Sequence, residues 1–294
     1  MITIKVTGGI GNQMFMYALA MKFRSLGVDI QIDNRGLENY LKDHDYEDIT
    51  KIFYPSLSSF QTIKKTNNKI IDIVKYKFFI YSTKLLNHYF VENIDGNFEN
   101  KILELKSGYL LGYWQSYKYF QDISDIIKKS FKFPENINSE NQIVLNKIKS
   151  QECSVSLHIR RGDYLKYSEV FGGICTEQYY KNAIDYMENK YPNCTFFIFT
   201  NDTEYAKKIF HGEKFFVINC NGPKDAWKDM YLMTQCDHNI IANSTFSWWG
   251  AYLNNNEQKT VISPQKFLNI KTCKDFFPQE WVRISNCYER DYVK

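Results

Sequence analysis

The chain has 294 residues, with 37 Lys and Arg against 33 Asp and Glu for a net charge of +4, and it is 44% apolar and 17% aromatic. That apolar content excludes a disordered chain, and charge so near balance excludes a dedicated nucleic-acid binder, which concentrates a larger basic excess on one face. At roughly 100 to 200 residues per domain the length admits two domains or one large α/β domain.

The cysteines at 153, 175, 194, 220, 236, 273 and 287 are odd in number and form no CxxC pair, so they are not a disulfide framework. The histidines at 44, 88, 158, 211 and 238 make no HExxH or Cys/His zinc spacing, and no metal is expected. The start, MITIKV, has no basic and apolar leader pattern, and no apolar run approaches the roughly 18 residues of a membrane span. A cytoplasmic location is the expectation.

Ile2, Ile4 and Val6 alternate with Thr3, Lys5 and Thr7, and Gly8-Gly9-Ile10-Gly11 then leads into an apolar helical stretch over about 12–26. A second short strand follows at 28–33, so the chain opens as an α/β unit. Residues 37–98 read as polar-aromatic and mostly helical, with 69–90 (KIIDIVKYKFFIYSTKLLNHYF) the most basic and most apolar part. Two readings stand for it: a helix packed on the sheet, or a peripheral helix making weak contact with an anionic membrane, since Lys69, Lys75, Lys77 and Lys84 flank its apolar positions.

A strand running into a turn is expected at GYLLGYWQS from Gly108, then a helix over about 119–131 and a linker from Phe133-Pro134. The domain boundary is expected within 134–152, giving a first domain over 1–140 and a second over 150–294. Buried strands are predicted at 154–160, 195–200, 214–220, 239–243 and 260–263, alternating with helices at about 177–190, 203–210, 225–236 and 245–254. That order implies a parallel, doubly wound sheet with ligand-binding loops at the strand C-termini.

The first of these strands ends in His158-Ile-Arg160-Arg161-Gly-Asp163-Tyr164. On a strand, His158 and Arg160 share one face and Arg161 takes the other. A guanidinium fork at such a strand end suits a phosphate; the competing reading is an Arg161–Asp163 surface ion pair with His158 a satisfied core residue. Asn243-Ser244-Thr245-Phe246-Ser247 follows another strand and opens a helix, where backbone N–H groups and the helix dipole favour an anion, unless it is only an N-cap on an aromatic core helix. With Arg160 on a neighbouring strand end, this pair is expected to suit a diphosphate.

Near the N-terminus, Met14 stands where a G-x-G-x-x-G dinucleotide loop has its third glycine, which weakens a Rossmann cofactor reading. Gly9 and Gly11 still allow close backbone approach, and Asn12 and Gln13 at a helix start meet ligand hydroxyls or phosphate, or the segment is simply a tight turn.

Taken together, GGIGNQMFMYALA (8–20), GYWQSYKYF (112–120), HIRRGDY (158–164), FIFTND (197–202) and DMYLMTQCDHNIIANSTFSWWGAYLN (229–254) resemble the bacterial α-1,2-fucosyltransferases. The resemblance implies two Rossmann-like α/β domains in the GT-B glycosyltransferase architecture, with GDP-β-L-fucose held mainly by the C-terminal domain and the galactose-terminated acceptor entering the interdomain cleft. It implies inversion, no metal and no cofactor beyond the donor substrate. By the same resemblance Arg160 binds the β-phosphate and stabilises departing GDP, with His158 beside it. Asp229 reads guanine, Ser244, Thr245 and Phe246 line phosphates and base, and Asn12 approaches the fucose. The set of substrate contacts is completed by Gly9, Gly11, Gln13, Arg161, Asn201, Asn243 and Ser247. Asp163 is either the general base or a structural residue of the turn. Asp43-His44-Asp45 has the D-x-D form of metal-dependent glycosyltransferases but lies in a very polar stretch without a preceding strand, so it reads as a solvated cluster.

Three other readings follow from the same residues: a GDP-fucose transferase of another acceptor or linkage, a non-catalytic carbohydrate-binding protein that uses the aromatic excess, and a nicotinamide oxidoreductase, which Met14 disfavours.

Overall fold

Ile2 and Ile4 are fully buried in strand β1 (Ile2–Lys5), which the glycine turn joins to a helix over Ile10–Ser25 that is apolar on every face and buried along most of its length. The computed structural model describes residues 1–63, 69–85 and 88–286. The chain divides into two compact units, Met1–Phe133 with Lys274–Phe276, and Pro134–Cys273 with Phe277–Lys294.

In the first unit β1 is joined by β2 (Ile30–Asp33), β3 (Gln61–Thr62), β4 (Tyr89–Val91) and β5 (Gly108–Leu111). The sheet order is β3-β2-β1-β5-β4, with every pair parallel. The chain therefore builds outward from β1 on one side and then returns to the other, so the order reverses between β1 and β5. The segment 37–98, expected to be mostly helical, contains β3 and β4. The helix over Lys69–Leu85 stops short of Tyr89–Val91, which pairs with Tyr109–Leu111 and stacks the Tyr89 ring 5.6 Å from that of Tyr109. Three aromatic or β-branched residues beside a buried strand gain more from pairing than from one more helical turn.

The second unit contains β6 (Cys153–Ile159), β7 (Cys194–Thr200), β8 (Phe215–Ile218), β9 (His238–Ile240), β10 (Val261–Pro264) and β11 (Val282–Ile284). Their order is β11-β10-β9-β6-β7-β8, again all parallel, which is the Rossmann strand order with its reversal between β6 and β9. Helices over Glu177–Lys190, Thr203–Ile209, Ala226–Gln235 and Thr245–Tyr252 alternate with the strands where the periodicity predicts them.

Both faces of this sheet are covered. Phe196 and Ile198 of β7 pack with Val155, Leu157, Tyr179, Tyr180 and Ala183 on one face, while Phe197 and Phe199 pack with Ile148, Leu232 and Met233 on the other. The segment 134–152, within which the domain boundary is expected, holds a helix over Ser139–Lys149, capped by Asn138 and packed on the Ala226–Gln235 helix. Gly250 lets the Ala226–Gln235 and Thr245–Tyr252 helices approach, since a Cβ there stands 3.0 Å from the Met233 side chain.

Candidate functional site

At the reversal in the second unit, loops leave the carboxyl ends of β6 and β9, the place where open α/β sheets bind ligands. His158, 5% exposed near the end of β6, has Nδ1 2.8 Å from Ser247 Oγ and its ring 5.5 Å from that of Phe246. Burial first, and the neighbouring Arg160 charge second, push the His158 imidazole down to about 3. It is neutral at physiological pH, and the positive charge of this strand end comes from the arginines that follow it, Arg160 and Arg161.

The Arg160 guanidinium stands 5.6 Å from the centre of the Tyr164 ring, and the Tyr164 hydroxyl donates to the Asn243 carbonyl at 3.0 Å. One side chain of the β6 loop thus ties that loop to the β9 loop. Asn243, itself buried, donates through Nδ2 to the Phe267 carbonyl at 3.1 Å. Ser244 caps the Thr245–Tyr252 helix, its Oγ accepting from the Phe246 amide at 3.3 Å. Ser247 is buried against His158, whereas Thr245 and Phe246 at the helix start are half-buried. The β6/β9 loops therefore combine a guanidinium, a neutral imidazole and the positive end of a helix, an arrangement with the chemistry to hold an anion.

Arg161 and Asn201, expected to touch substrate, are engaged with the loop itself. The Arg161 amide donates to Asn201 Oδ1 at 2.9 Å, and its guanidinium pairs with Asp202 at 3.1 Å and lies 3.6 Å from the Tyr205 ring centre. A Cβ at Gly162 would meet the Asn201 carboxamide, so a larger residue here displaces that side chain. Asp163 lies in the 3-10 turn Gly162–Leu165, and its side chain is outside the described residues.

Asp229, in the first turn of the Ala226–Gln235 helix, accepts at Oδ1 from Asn221 Nδ2 at 2.7 Å. Asn221 in turn forms a reciprocal amide pair with the fully buried Asn141, with both bonds 2.8 Å. Burial pushes the Asp229 carboxyl up to about 7; the bond from Asn221 opposes this and the nearby Asp225 charge adds to it. Sequence reasoning missed Asn221 and Asn141, just as it missed the Tyr164 tie, because these partners lie 80 and 79 residues apart and leave no local pattern.

The first unit has a counterpart at β1/β5. Gly8 adopts φ +80°, a conformation suited to glycine, and a Cβ there stands 2.8 Å from Asn12 Nδ2. Gly9 is the N-cap of the Ile10–Ser25 helix and Gly11 is buried in its first turn. Asn12 Oδ1 accepts from Gln115 Nε2 at 2.9 Å, joining the loops after β1 and β5. Gln13, expected at the ligand, is fully buried and donates through Nε2 to the Gly8 carbonyl at 2.8 Å, so it holds the glycine turn. Asp43 ends a helix over Leu37–Asp43, and His44 stacks on Tyr40, with ring centres 4.1 Å apart.

A family model described as Glycosyl transferase family 11 matches residues 1–285. Together with the two Rossmann-like domains, this defines a glycosyltransferase built of two parallel α/β domains. The "Alpha-1,2-colitosyltransferase" of Escherichia coli is 30% identical over 298 residues, spanning 96% of this chain and 98% of that one. The "O-antigen biosynthesis glycosyltransferase WbnK" of the same organism is 31% identical over 308 residues, spanning 95% and 99%. The "Galactoside alpha-(1,2)-fucosyltransferase 1" of Saimiri boliviensis boliviensis is 27% identical over 190 residues, 60% of this chain and 52% of that one. The chain belongs to glycosyl transferase family 11.

Proposed function

We propose that the protein transfers L-fucose from GDP-β-L-fucose to the 2-hydroxyl of a terminal galactose in a bacterial surface glycan, with inversion, without a metal and in the cytoplasm. The observation that carries this reading is the tie at β6/β9, where Tyr164 holds the Arg160 strand end against the capped helix start at Ser244. In this reading Arg160 and the helix amides receive the diphosphate, with Ser244 and Thr245 beside the phosphates. His158 and Phe246 meet the nucleoside, and the Asp229 carboxylate accepts from the N1 and exocyclic N–H groups of guanine. Asn12, with Gly9 and Gly11 about it, meets the uncharged sugar.

The galactose 2-hydroxyl oxygen attacks the anomeric carbon from the face opposite GDP. The bond from that carbon to the phosphate oxygen breaks, its electron pair leaves with GDP, and Arg160 stabilises the charge that develops there. The hydroxyl proton passes to a base, for which Asp163 is the candidate. If Asp163→Asn leaves the rate and its pH profile unchanged, the proton goes elsewhere.

The names of the relatives support the α-1,2 linkage and the O-antigen class of acceptor. The colitosyltransferase favours a second reading of the donor, because colitose is L-fucose without its 3-hydroxyl. Incubation with GDP-fucose and lactose, with and without EDTA, followed by NMR of the product tests the proposal. An α-1,2-fucosyl product formed equally with EDTA is expected. Product only from the 3-deoxy donor replaces fucose by colitose, and absence of GDP binding overturns the donor site.

A further inference from the structure

Surface helices turn their apolar stripe inward. The helix over Lys69–Leu85 does the reverse: Val74, Phe78, Tyr81 and Leu85 are 60%, 71%, 66% and 70% exposed. Their spacing of four, three and four residues gathers them within about 60° of arc on one face. Tyr76 points from the opposite face, its ring centre 4.3 Å from the Arg35 guanidinium and 5.9 Å from Lys5 Nζ, and so seats the helix on the first unit. The exposed stripe is thus a consequence of how the helix is docked.

The charges beside the stripe are of one sign. Lys75 lies about 90° to one side, while Lys77 and Lys84 lie about 70° to 90° to the other. Lys75, Lys77 and Lys84 are exposed, and residues 74–85 contain no acidic side chain. We propose that this helix is a membrane-docking face, lying in the plane of an anionic lipid surface with Phe78 and Leu85 entering the acyl boundary and the lysines meeting phosphate headgroups.

Charge complementarity selects the lipid over a second copy of the chain. A two-fold pairing of the stripe brings like lysines together across the apolar contact, whereas anionic headgroups neutralise both flanks. Tyr81 suits the interface because its ring is apolar and its hydroxyl stays wet. At 17 residues the helix is about 26 Å long, and no helix among the described residues is long and apolar enough to cross a membrane, so it lies on the surface.

Co-sedimentation of the full chain with vesicles tests this. The protein is expected to pellet with vesicles of about 30% phosphatidylglycerol in phosphatidylethanolamine, to stay in solution with phosphatidylcholine, and to be released as salt rises from about 0.1 to 0.5 M. Phe78→Glu is expected to lower partition at least about tenfold, and Lys75→Gln and Lys77→Gln about fivefold each. All three variants should keep the wild-type melting temperature and GDP affinity, since these side chains are exposed. No sedimentation with the anionic vesicles, or undiminished binding by Phe78→Glu, overturns the proposal. So does self-association in solution that Phe78→Glu abolishes, which assigns the stripe to a second copy.

Discussion

The two units place loops at the same topological point and equip them differently. In the first, the β1 and β5 loops meet through two carboxamides, Asn12 and Gln115, over a glycine turn, and the contact carries no charge. In the second, the β6 and β9 loops meet through Tyr164 and bring a guanidinium to the start of a capped helix. Strand order sets where a ligand is received, and the residues after the strands set which ligand. Neutral donors and acceptors match sugar hydroxyls, while fixed positive charge matches a diphosphate.

The largest effect should come from removing the charge that distinguishes them. Arg160→Ala is expected to reduce turnover at least about 100-fold, and near-normal turnover by a folded variant erases the contrast. Asp229→Asn should weaken GDP binding by about 10- to 100-fold, because an amide cannot accept both guanine N–H groups as the carboxylate does in the proposed donor site.

The sign of the accompanying pH effect follows from burial. The Asp229 carboxyl is raised to about 7, so as pH falls through 7 it takes up a proton and GDP binding by the wild type should weaken, while Asp229→Asn should show no such decline. The same shift means that the free protein loses stability as pH rises through about 7, where the folded carboxyl must ionise, so Asp229→Asn should melt higher than wild type at about pH 8.

Smaller effects sharpen the comparison. Tyr164→Phe removes one hydrogen bond between the loops and should cost about 1 kcal/mol in stability, with a several-fold loss of GDP affinity, as read by thermal unfolding and calorimetry. Asn12→Ala breaks the bond from Gln115 and should raise the KM for fucose donor or acceptor several-fold while leaving GDP affinity unchanged. A loss of GDP binding in Asn12→Ala would show that the nucleotide also uses the first unit.

Much of this contrast was legible in the residues. The strands of the second unit announce themselves as apolar runs because both faces of the sheet are buried, and their order with the helices implies the doubly wound topology. His158, Arg160 and the Ser244 cap are local to a strand end and a helix start, where sequence patterns carry geometric meaning. Short edges were not legible: β3 has two residues and β11 three, too few for any period. The helix over Ser139–Lys149 was hidden because polar residues and Pro134 precede it and read as a linker, although Val144, Leu145 and Ile148 form a short apolar stripe against the core.

Long-range polar contacts were equally silent. The Asn141–Asn221 pair behind Asp229, the Arg161–Asp202 ion pair and the Tyr164 tie depend on which strands become neighbours, and no spacing along the chain encodes that. The apolar stripe of the Lys69–Leu85 helix was visible as a pattern, yet its outward orientation required the position of Tyr76.

Hydrogen exchange of the full chain with and without GDP tests the contrast most directly. Protection is expected in peptides covering 158–164 and 243–249, with residues 8–15 unchanged. Protection confined to 8–15 would contradict the assignment of the nucleotide to the charged loops of the second unit.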